Sequence, residues 1–140
     1  MSERVVFDTN IVISGLVWRG QAYQCLLLAR SRLVQALYCS EMLAELSEKL
    51  RHPFGFSENH IQAVVYDMRR FAELVEIKGK LHVVEADLDD DKFVECAVVG
   101  HADAIVSGDR HLLSLSEYRG IQMLSATAFL EWVAGRSATD

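Results

Sequence analysis

The sequence has little of several features that mark particular classes of protein. It contains one proline and eight glycines in 140 residues, which excludes collagen-like and proline-rich chains, and 51% of its residues are hydrophobic, which excludes a disordered chain. Charged residues interrupt every apolar run before it reaches the roughly 18 residues that a membrane span needs. The N-terminal residues MSERVVFDTN lack the charged leader and apolar segment of a signal peptide. We therefore expect no membrane segment and a cytoplasmic location.

Cysteine and basic residues are also scarce. The three cysteines are odd in number and widely spaced, with no C-x-x-C pair, so they indicate buried thiols in a reducing compartment rather than a zinc site or a disulfide framework. Fourteen Lys and Arg residues stand against twenty Asp and Glu residues, which gives a formal net charge of −6 and no broad basic surface for nucleic acid. A polyanionic substrate would need metal ions or a local basic patch.

The length and the order of elements predict one α/β domain that spans residues 1–140. Apolar periodicity and capping residues, Ser40 and Ser57 among them, alternate between strand and helix signals. The predicted strands are 4–7, 33–38, 81–84, 104–107 and 121–124, and the predicted helices are 11–18, 21–32, 41–51, 57–75, 89–101 and 127–134. This alternation favours a mainly parallel sheet with helices on both faces.

Two of the predicted strands are followed by an aspartate. Asp8 comes directly after the first strand, and Asp109 follows Ser107 and Gly108 at the end of the strand that begins at residue 104. Sites in open parallel sheets lie beyond the carboxyl ends of the strands, so both carboxylates should project from one edge. Each aspartate could instead serve only as a helix cap, which is worth about 1 kcal/mol. Thr9 could cap the first helix equally well, which favours a chemical role for Asp8.

Two further acidic side chains are placed near this edge by helical phase. Asp90 precedes Phe93 and Val94 by three and four positions on a helix that should also bury His101, so it lies over the buried face. Its neighbours at 87, 89 and 91 can be explained by the helix dipole, and Asp91 stays open as the alternative to Asp90. Glu45 borders an apolar stripe and can reach inward, or it can form a surface pair with Lys49 four residues on.

Four acids from four segments would repel one another in a cleft unless cations or protons neutralised them. Their hard oxygen ligands select Mg²⁺ or Mn²⁺ over zinc, and no cluster of His and Cys competes for a softer metal. Two divalent ions would offset four negative charges. The acidic composition would then belong in part to the site, and it would no longer argue against a nucleic-acid substrate.

Three segments in order carry a family resemblance: VVFDTNIVISGL, SEMLAELSEKL and DLDDDKFVECAVVGHADAIVSGDRHLL. They resemble the PIN-domain proteins over nearly the whole chain, in particular the group described as toxin components of toxin–antitoxin systems and related to VapC-type ribonucleases. The resemblance implies a three-layer α/β/α sandwich and metal-dependent cleavage of RNA phosphodiesters. It also implies an antitoxin protein as partner, and self-association is expected for such a small domain.

The motifs of this family fall on the acids already chosen. The resemblance assigns catalysis and metal binding to four residues, which are Asp8, Glu45, Asp90 and Asp109. Asn10 and Ser107 would orient ligands or water around them, with Ser107 standing where many relatives have threonine. Leu88 stands where related members often have proline, so the motif does not decide between Asp90 and Asp91.

The remaining candidates each have two interpretations. Lys92, Arg110 and Arg19 could meet backbone phosphates or be ordinary solvated charges. Trp18 lies at a helical position among apolar residues, which favours a core or interface role over base stacking. Two other functions stay open: a catalytically weak PIN-like module that acts by binding RNA or a protein, and a phosphohydrolase acting on small molecules. The second would need an aspartate where Asn10 stands.

Overall fold

The computed structural model describes residues 2–79, 81 and 90–139. The described strands are β1 (Glu3–Phe7), β2 (Val34–Tyr38), β3 (Ala72–Leu74), β4 (Ala104–Val106), β5 (Glu117–Tyr118) and β6 (Ile121–Leu124). The described helices are α1 (Thr9–Val17), α2 (Gly20–Arg30), α3 (Ser40–Arg51), α4 (Glu58–Phe71), α5 (Asp91–Val99), α6 (Arg110–Leu113) and α7 (Ala126–Thr139).

The strands form one sheet in the order β3-β2-β1-β4-β6-β5, and every neighbouring pair is parallel except β5 and β6. The chain moves outward from β1 to β3 and then returns to the other side of β1 to form β4. Right-handed crossovers therefore place the connecting helices on opposite faces, which confirms the three-layer α/β/α sandwich. The direction of winding reverses between β1 and β4, which is where open sheets form their ligand sites.

The central strands are buried along their length because helices pack on both faces of the sheet. Val5 and Val6 of β1 are fully buried, as are Ala104, Ile105 and Val106 of β4. A strand in a one-sided sheet would alternate apolar and polar residues, whereas these runs are apolar throughout. The carboxyl ends of β1 and β4 are thus held rigidly, and the residues that follow them start from fixed positions.

Several predicted boundaries are wrong. The predicted helix over 57–75 ends at Phe71, because the chain then extends into β3 and pairs with β2, with Ala72 opposite Ala36. Strand pairing over a long sequence distance is not visible in the apolar periodicity. The short strand β5 is not visible in that periodicity either. Ser57 does cap α4 by accepting a bond from His60 N at 3.1 Å, but the N-cap position of α3 is occupied by Cys39 and not by Ser40.

The region around α5 differs from the prediction in two ways. The helix ends at Val99, and His101 is exposed with a left-handed φ of 56° rather than buried on the helix. Leu81 has no regular structure, and the rest of the predicted strand over 81–84 lies outside the described residues. Within the described part of the chain, no single helix is long and apolar enough to cross a membrane. The pair α1 and α2 would qualify only together, with a bend of 104° between them.

Candidate functional site

The site is built on the reversal point between β1 and β4. Phe7 pairs with Val106, and the backbone N–H of Asp8 continues this ladder by donating to the Val106 carbonyl at 2.9 Å. Asp8 therefore begins where β1 ends, and Asp109 follows three residues after β4. The structure brings the ends of these two segments together at one edge of the sheet, as the sequence predicts.

Ser107 connects the two aspartates. Its hydroxyl donates to Oδ2 of Asp8 at 2.5 Å and accepts from the backbone N–H of Asp109 at 2.9 Å. The Ser107 side chain is 1% exposed, so its bond to Asp8 is shielded from water, and its bond to Asp109 is partly buried. A hydrogen bond to a charged acceptor is stronger than a neutral one. Ser107 therefore fixes the orientation of the Asp8 carboxylate and also the position of the Asp109 backbone.

Both aspartates also serve as helix caps. Oδ1 of Asp8 accepts from the backbone N–H of Asn10 at 2.5 Å, and Oδ1 of Asp109 accepts from that of His111 at 2.7 Å. The two interpretations of the sequence are thus compatible, because each cap uses one carboxylate oxygen. The second oxygen of Asp8 accepts from the Ser107 hydroxyl, which in turn accepts from the backbone N–H of Asp109.

Burial dominates the electrostatics of Asp8. The residue is only 2% exposed, and burial raises the pKa of its carboxyl above the ordinary value. The Ser107 hydroxyl, the backbone N–H groups of Asn10 and Ile11 and the charge of Lys49 act in the opposite direction without cancelling it. An anion buried at this cost would be stabilised by a cation placed beside it.

Glu45 lies at the border of the buried stripe of α3, as its helical phase predicts. Its Oε1 accepts from the Lys92 ammonium at 3.1 Å, and the two side chains are 24% and 17% exposed. Burial alone would raise the pKa of Glu45, but the nearby Thr9 hydroxyl and the Lys92 charge outweigh it, so the pKa lies below its ordinary value. Within the described residues, neither Oε2 of Glu45 nor Oγ1 of Thr9 has a partner with good hydrogen-bond geometry, and both atoms are buried.

Lys49 is the residue that sequence reasoning missed. Its ammonium donates to Oδ1 of Asn10 at 3.3 Å, and its charge favours the ionised forms of both Asp8 and Glu45. The sequence signal was the spacing of Glu45 and Lys49, which was interpreted as a surface pair. The ammonium contacts Asn10 instead, because α3 packs beside α1 and presents Lys49 to the first turn of that helix. The two lysines supply positive charge to a site otherwise made of acids.

Asp90 and Asp91 stand at the start of α5, and both are 6% exposed. Burial therefore does not separate them, and the choice between them as a metal ligand stays a prediction. Glu95, four residues after Asp91 on α5, accepts backbone N–H bonds from Lys78, Gly79 and Leu81 at 2.7 to 3.1 Å. Asp87 and Asp89 lie outside the described residues.

The predicted phosphate contacts are separated in the fold. Lys92 pairs with Glu45 and lies 4.7 Å from the centroid of the Phe93 ring, so it belongs to the acidic site. Arg110 is exposed in the first turn of α6, directly after Asp109. Arg19 lies over the ring of Tyr23 at 5.1 Å, in a groove between α1, α2 and α4. Lys92 and Arg110 flank the site, whereas Arg19 belongs to this other surface.

The donor chemistry of the site fits a hard divalent cation. Its groups are carboxylate oxygens, one of them the buried Oε2 of Glu45, and the buried Asp8 carboxyl would gain from a neighbouring positive charge. In the described part of the chain, however, no group of three or more His, Cys, Asp or Glu side chains is spaced to hold a metal ion as it stands. The residues fit a metal by type.

The fold and the site together define an α/β/α domain with an acidic centre at the carboxyl edge of its sheet. A model of the PIN domain matches residues 4–111, so the chain belongs to the PIN-domain family. This confirms the resemblance carried by the three sequence motifs.

Solved structures agree with this fold. One match is the VapBC2 structure from Rickettsia felis, bound to a DNA fragment from their promoter, with a TM-score of 0.61, 14% identity and coverage of 87% of this chain and 98% of that one. Another is the T. brucei RRP44 PIN domain, with a TM-score of 0.55, 12% identity and coverage of 99% and 85%. Both identities are low, so these matches show the fold alone. No curated protein matches the chain significantly by sequence.

Proposed function

We propose that this protein is a metal-dependent endoribonuclease that hydrolyses RNA phosphodiester bonds, and that it is the toxin half of a toxin–antitoxin pair. The observation that carries the proposal is the pair of aspartates at the reversal point, Asp8 and Asp109, which the buried Ser107 hydroxyl joins by donating to the Asp8 carboxylate and accepting from the Asp109 backbone N–H. Membership of the PIN-domain family, with residues 1–140 taken as one such domain, supports this interpretation.

In this proposal four acids hold one or two Mg²⁺ or Mn²⁺ ions. They are Asp8, Glu45 and Asp109, together with Asp90 or Asp91. Bound divalent ions would supply an activated water and charge stabilisation for the leaving oxygen. No side-chain nucleophile is then needed. Asn10 would position water or a ligand through its amide, which Lys49 already orients.

The basic residues have separate roles. Lys92 neutralises Glu45 in the absence of metal and, with Arg110, would meet the phosphates on either side of the scissile bond. These contacts compensate locally for the net charge of −6, which would otherwise repel an RNA strand. Affinity for RNA should therefore fall steeply with salt.

The test is cleavage of a mixed pool of single-stranded RNA by the purified protein, with Mg²⁺ or Mn²⁺ and with a chelator. Asp8→Asn and Asp109→Asn are the inactivating variants, and Glu41→Gln is the matched control, because Glu41 is an exposed acid in the first turn of α3. We expect metal-dependent cleavage by the wild type and the control alone. Equal activity of Asp8→Asn and wild type would refute the catalytic assignment, and turnover of a simple phosphate ester without RNA cleavage would favour the phosphohydrolase.

One observation favours a second function. Glu45 is engaged by Lys92, and the described acids are not spaced for a metal as they stand. A PIN-like module with weak catalysis that binds RNA or a protein would have these properties. If the wild type binds RNA with chelator present and fails to cleave it with either metal, this second function replaces the first.

We propose that the antitoxin binds a groove of about 380 Å³ between α1, α2 and α4. Its apolar lining includes Leu16, Leu26 and Met68, which suits the apolar face of a partner helix. Met68→Arg should abolish co-purification with the product of a neighbouring reading frame, while Tyr66→Arg, on the exposed side of the same helix, should not. Retained binding by Met68→Arg would refute this placement. We expect the complex in the cytoplasm, where the three buried free cysteines stay reduced, and homo-oligomers of the toxin within it.

A further inference from the structure

A second surface adjoins the acidic site and is not explained by metal binding. It is a groove of about 740 Å³, and its lining includes Asn10, Ser14, Trp18, Lys49, His52 and Phe54. We call it the Trp18 groove. It begins at Asn10, two residues after Asp8, and runs beside α1 to the end of that helix.

Trp18 is the main feature of this groove. The sequence pattern favoured a core or interface role, but 67% of the side chain is exposed, so the core interpretation is wrong. The indole packs edge-to-face against Phe54, with ring centroids 5.5 Å apart and an interplanar angle of 85°. This contact orients the indole while leaving most of its surface open to solvent. Trp132 differs, since it is partly buried and packs against Phe129.

The lining of this groove combines aromatic rings with polar groups. Its exposed surface is mostly apolar, and Asn10, Ser14, Lys49 and His52 supply amide, hydroxyl, ammonium and imidazole groups beside it. An exposed aromatic ring beside a cation is the arrangement that binds single-stranded nucleic acid, with the base stacked and the phosphate paired. The groove also continues from the acidic site at Asn10, which favours a substrate strand as its occupant.

We propose that the Trp18 groove binds one unpaired base of a single-stranded RNA substrate, stacked on the Trp18 indole, with its phosphate near Lys49. The inference rests on the proposed ribonuclease function and adds a base-binding subsite beside the acidic site. Helix α1 rises about 12 Å between Asn10 and Trp18, so the stacked nucleotide flanks the scissile bond and is not the one cleaved. Duplex RNA would bind less well because its bases are already stacked and paired.

The first experiment measures binding without catalysis. A Trp132→Phe variant leaves Trp18 as the single tryptophan, and its fluorescence is followed during titration with an oligouridylate of about ten nucleotides in chelator. We expect quenching that saturates with the oligonucleotide and is weaker with duplex RNA. An unchanged emission at saturating oligonucleotide would overturn the proposal.

The second experiment compares affinities of variants by anisotropy of a labelled oligonucleotide, again in chelator. Trp18→Ala should weaken binding by about five- to 150-fold, the range for loss of one stacked base, and Trp18→Phe should recover most of it. Leu33→Ala is the control, because Leu33 is similarly exposed at 63% but precedes β2, at the opposite edge of the sheet. The proposal is overturned if Trp18→Ala binds RNA with wild-type affinity. If Trp18→Ala also differs from the wild type in sedimentation without RNA, Trp18 lies at a protein interface instead.

Cleavage assays separate this inference from the proposed function. If wild type and Trp18→Ala cleave RNA with metal at the same KM, the ribonuclease assignment stands and the stacking subsite is refuted. If no metal supports cleavage while Trp18 is quenched and Trp18→Ala loses affinity, the subsite stands and the catalytic assignment is the part that fails.

Discussion

Removing the Ser107 hydroxyl tests the link between the two aspartates most directly. In Ser107→Ala, Asp8 loses a buried hydrogen bond of 2.5 Å to its carboxylate, and the backbone N–H of Asp109 loses its acceptor at 2.9 Å. A bond to a charged group contributes about 1.5–3 kcal/mol, and the bond lost by the partly buried Asp109 N–H contributes about 0.5–1.5 kcal/mol. We therefore expect the free energy of unfolding to fall by about 2–4 kcal/mol at pH 7.

This loss should depend on pH in a defined direction. Burial raises the pKa of Asp8 in the folded protein and the Ser107 hydroxyl lowers it, so the pKa rises further in Ser107→Ala. A carboxyl with a raised folded pKa contributes stability at low pH that is lost as pH increases through that pKa. The difference between variant and wild type should thus be largest where Asp8 is ionised in the wild type, and it should shrink as pH falls.

The measurement is urea unfolding followed by circular dichroism at pH 7 and at a series of lower pH values that still keep the wild type folded. Ser107→Thr retains the hydroxyl and should lose less stability, and Ser114→Ala, which removes a hydroxyl from an exposed helix turn, should lose little. A Ser107→Ala loss below about 0.5 kcal/mol, or one that does not change with pH, would refute the account of this link.

Three further changes test the charges and the packing. In chelator at neutral pH, Asp8→Asn should unfold at a temperature equal to or above that of the wild type, because it removes a buried charge. A large destabilisation would contradict this. Added Mn²⁺ should raise the unfolding temperature of the wild type only. Lys92→Met should lower the free energy of unfolding in urea by about 1–3 kcal/mol at pH 7. The loss should fade as pH falls through the lowered folded pKa of Glu45, since a protonated carboxyl needs no cation. A loss that persists at low pH, or one that is equally large in a Glu45→Gln background, would argue against the pair. Gly100→Ala should cost about 1–3 kcal/mol, because its Cβ would lie 2.8 Å from a β2 side chain and 2.9 Å from an α5 carbonyl, whereas Gly135→Ala, with open space in α7, should be neutral or stabilising.

Much of the fold was predictable because its signals are local. The apolar runs of β1 and β4 and the caps at Asp8, Ser57 and Asp109 depend on residues a few positions apart, and the structure places them where those patterns indicate. The alternation of these elements was enough to predict a mainly parallel sheet. The edge strand β3 was missed because its three residues continue the periodicity of α4, and only pairing with β2 makes them extended.

The candidate site divides in the same way. Helical phase and strand ends selected Asp8, Glu45, Asp90 and Asp109 from the sequence, and their role as metal ligands stays a prediction. The partners of these acids were not accessible, because Lys92 meets Glu45 across 47 positions and Ser107 meets Asp8 across 99. The exposure of Trp18 also depends on neighbours distant in sequence, since Phe54 comes from the loop after α3.

By itself, the sequence determined the element types, the family and the residues able to do acid-centred chemistry, since periodicity, capping and residue type act over a few positions of the chain. Only the tertiary structure decided which lysine neutralises which carboxylate, that one buried serine joins the two aspartates, and that an aromatic groove borders the site. Those features depend on strand order and on the packing of α3 and α5 beside the sheet. Contacts of this kind join segments that are far apart in the chain, and local sequence patterns do not indicate which segments meet.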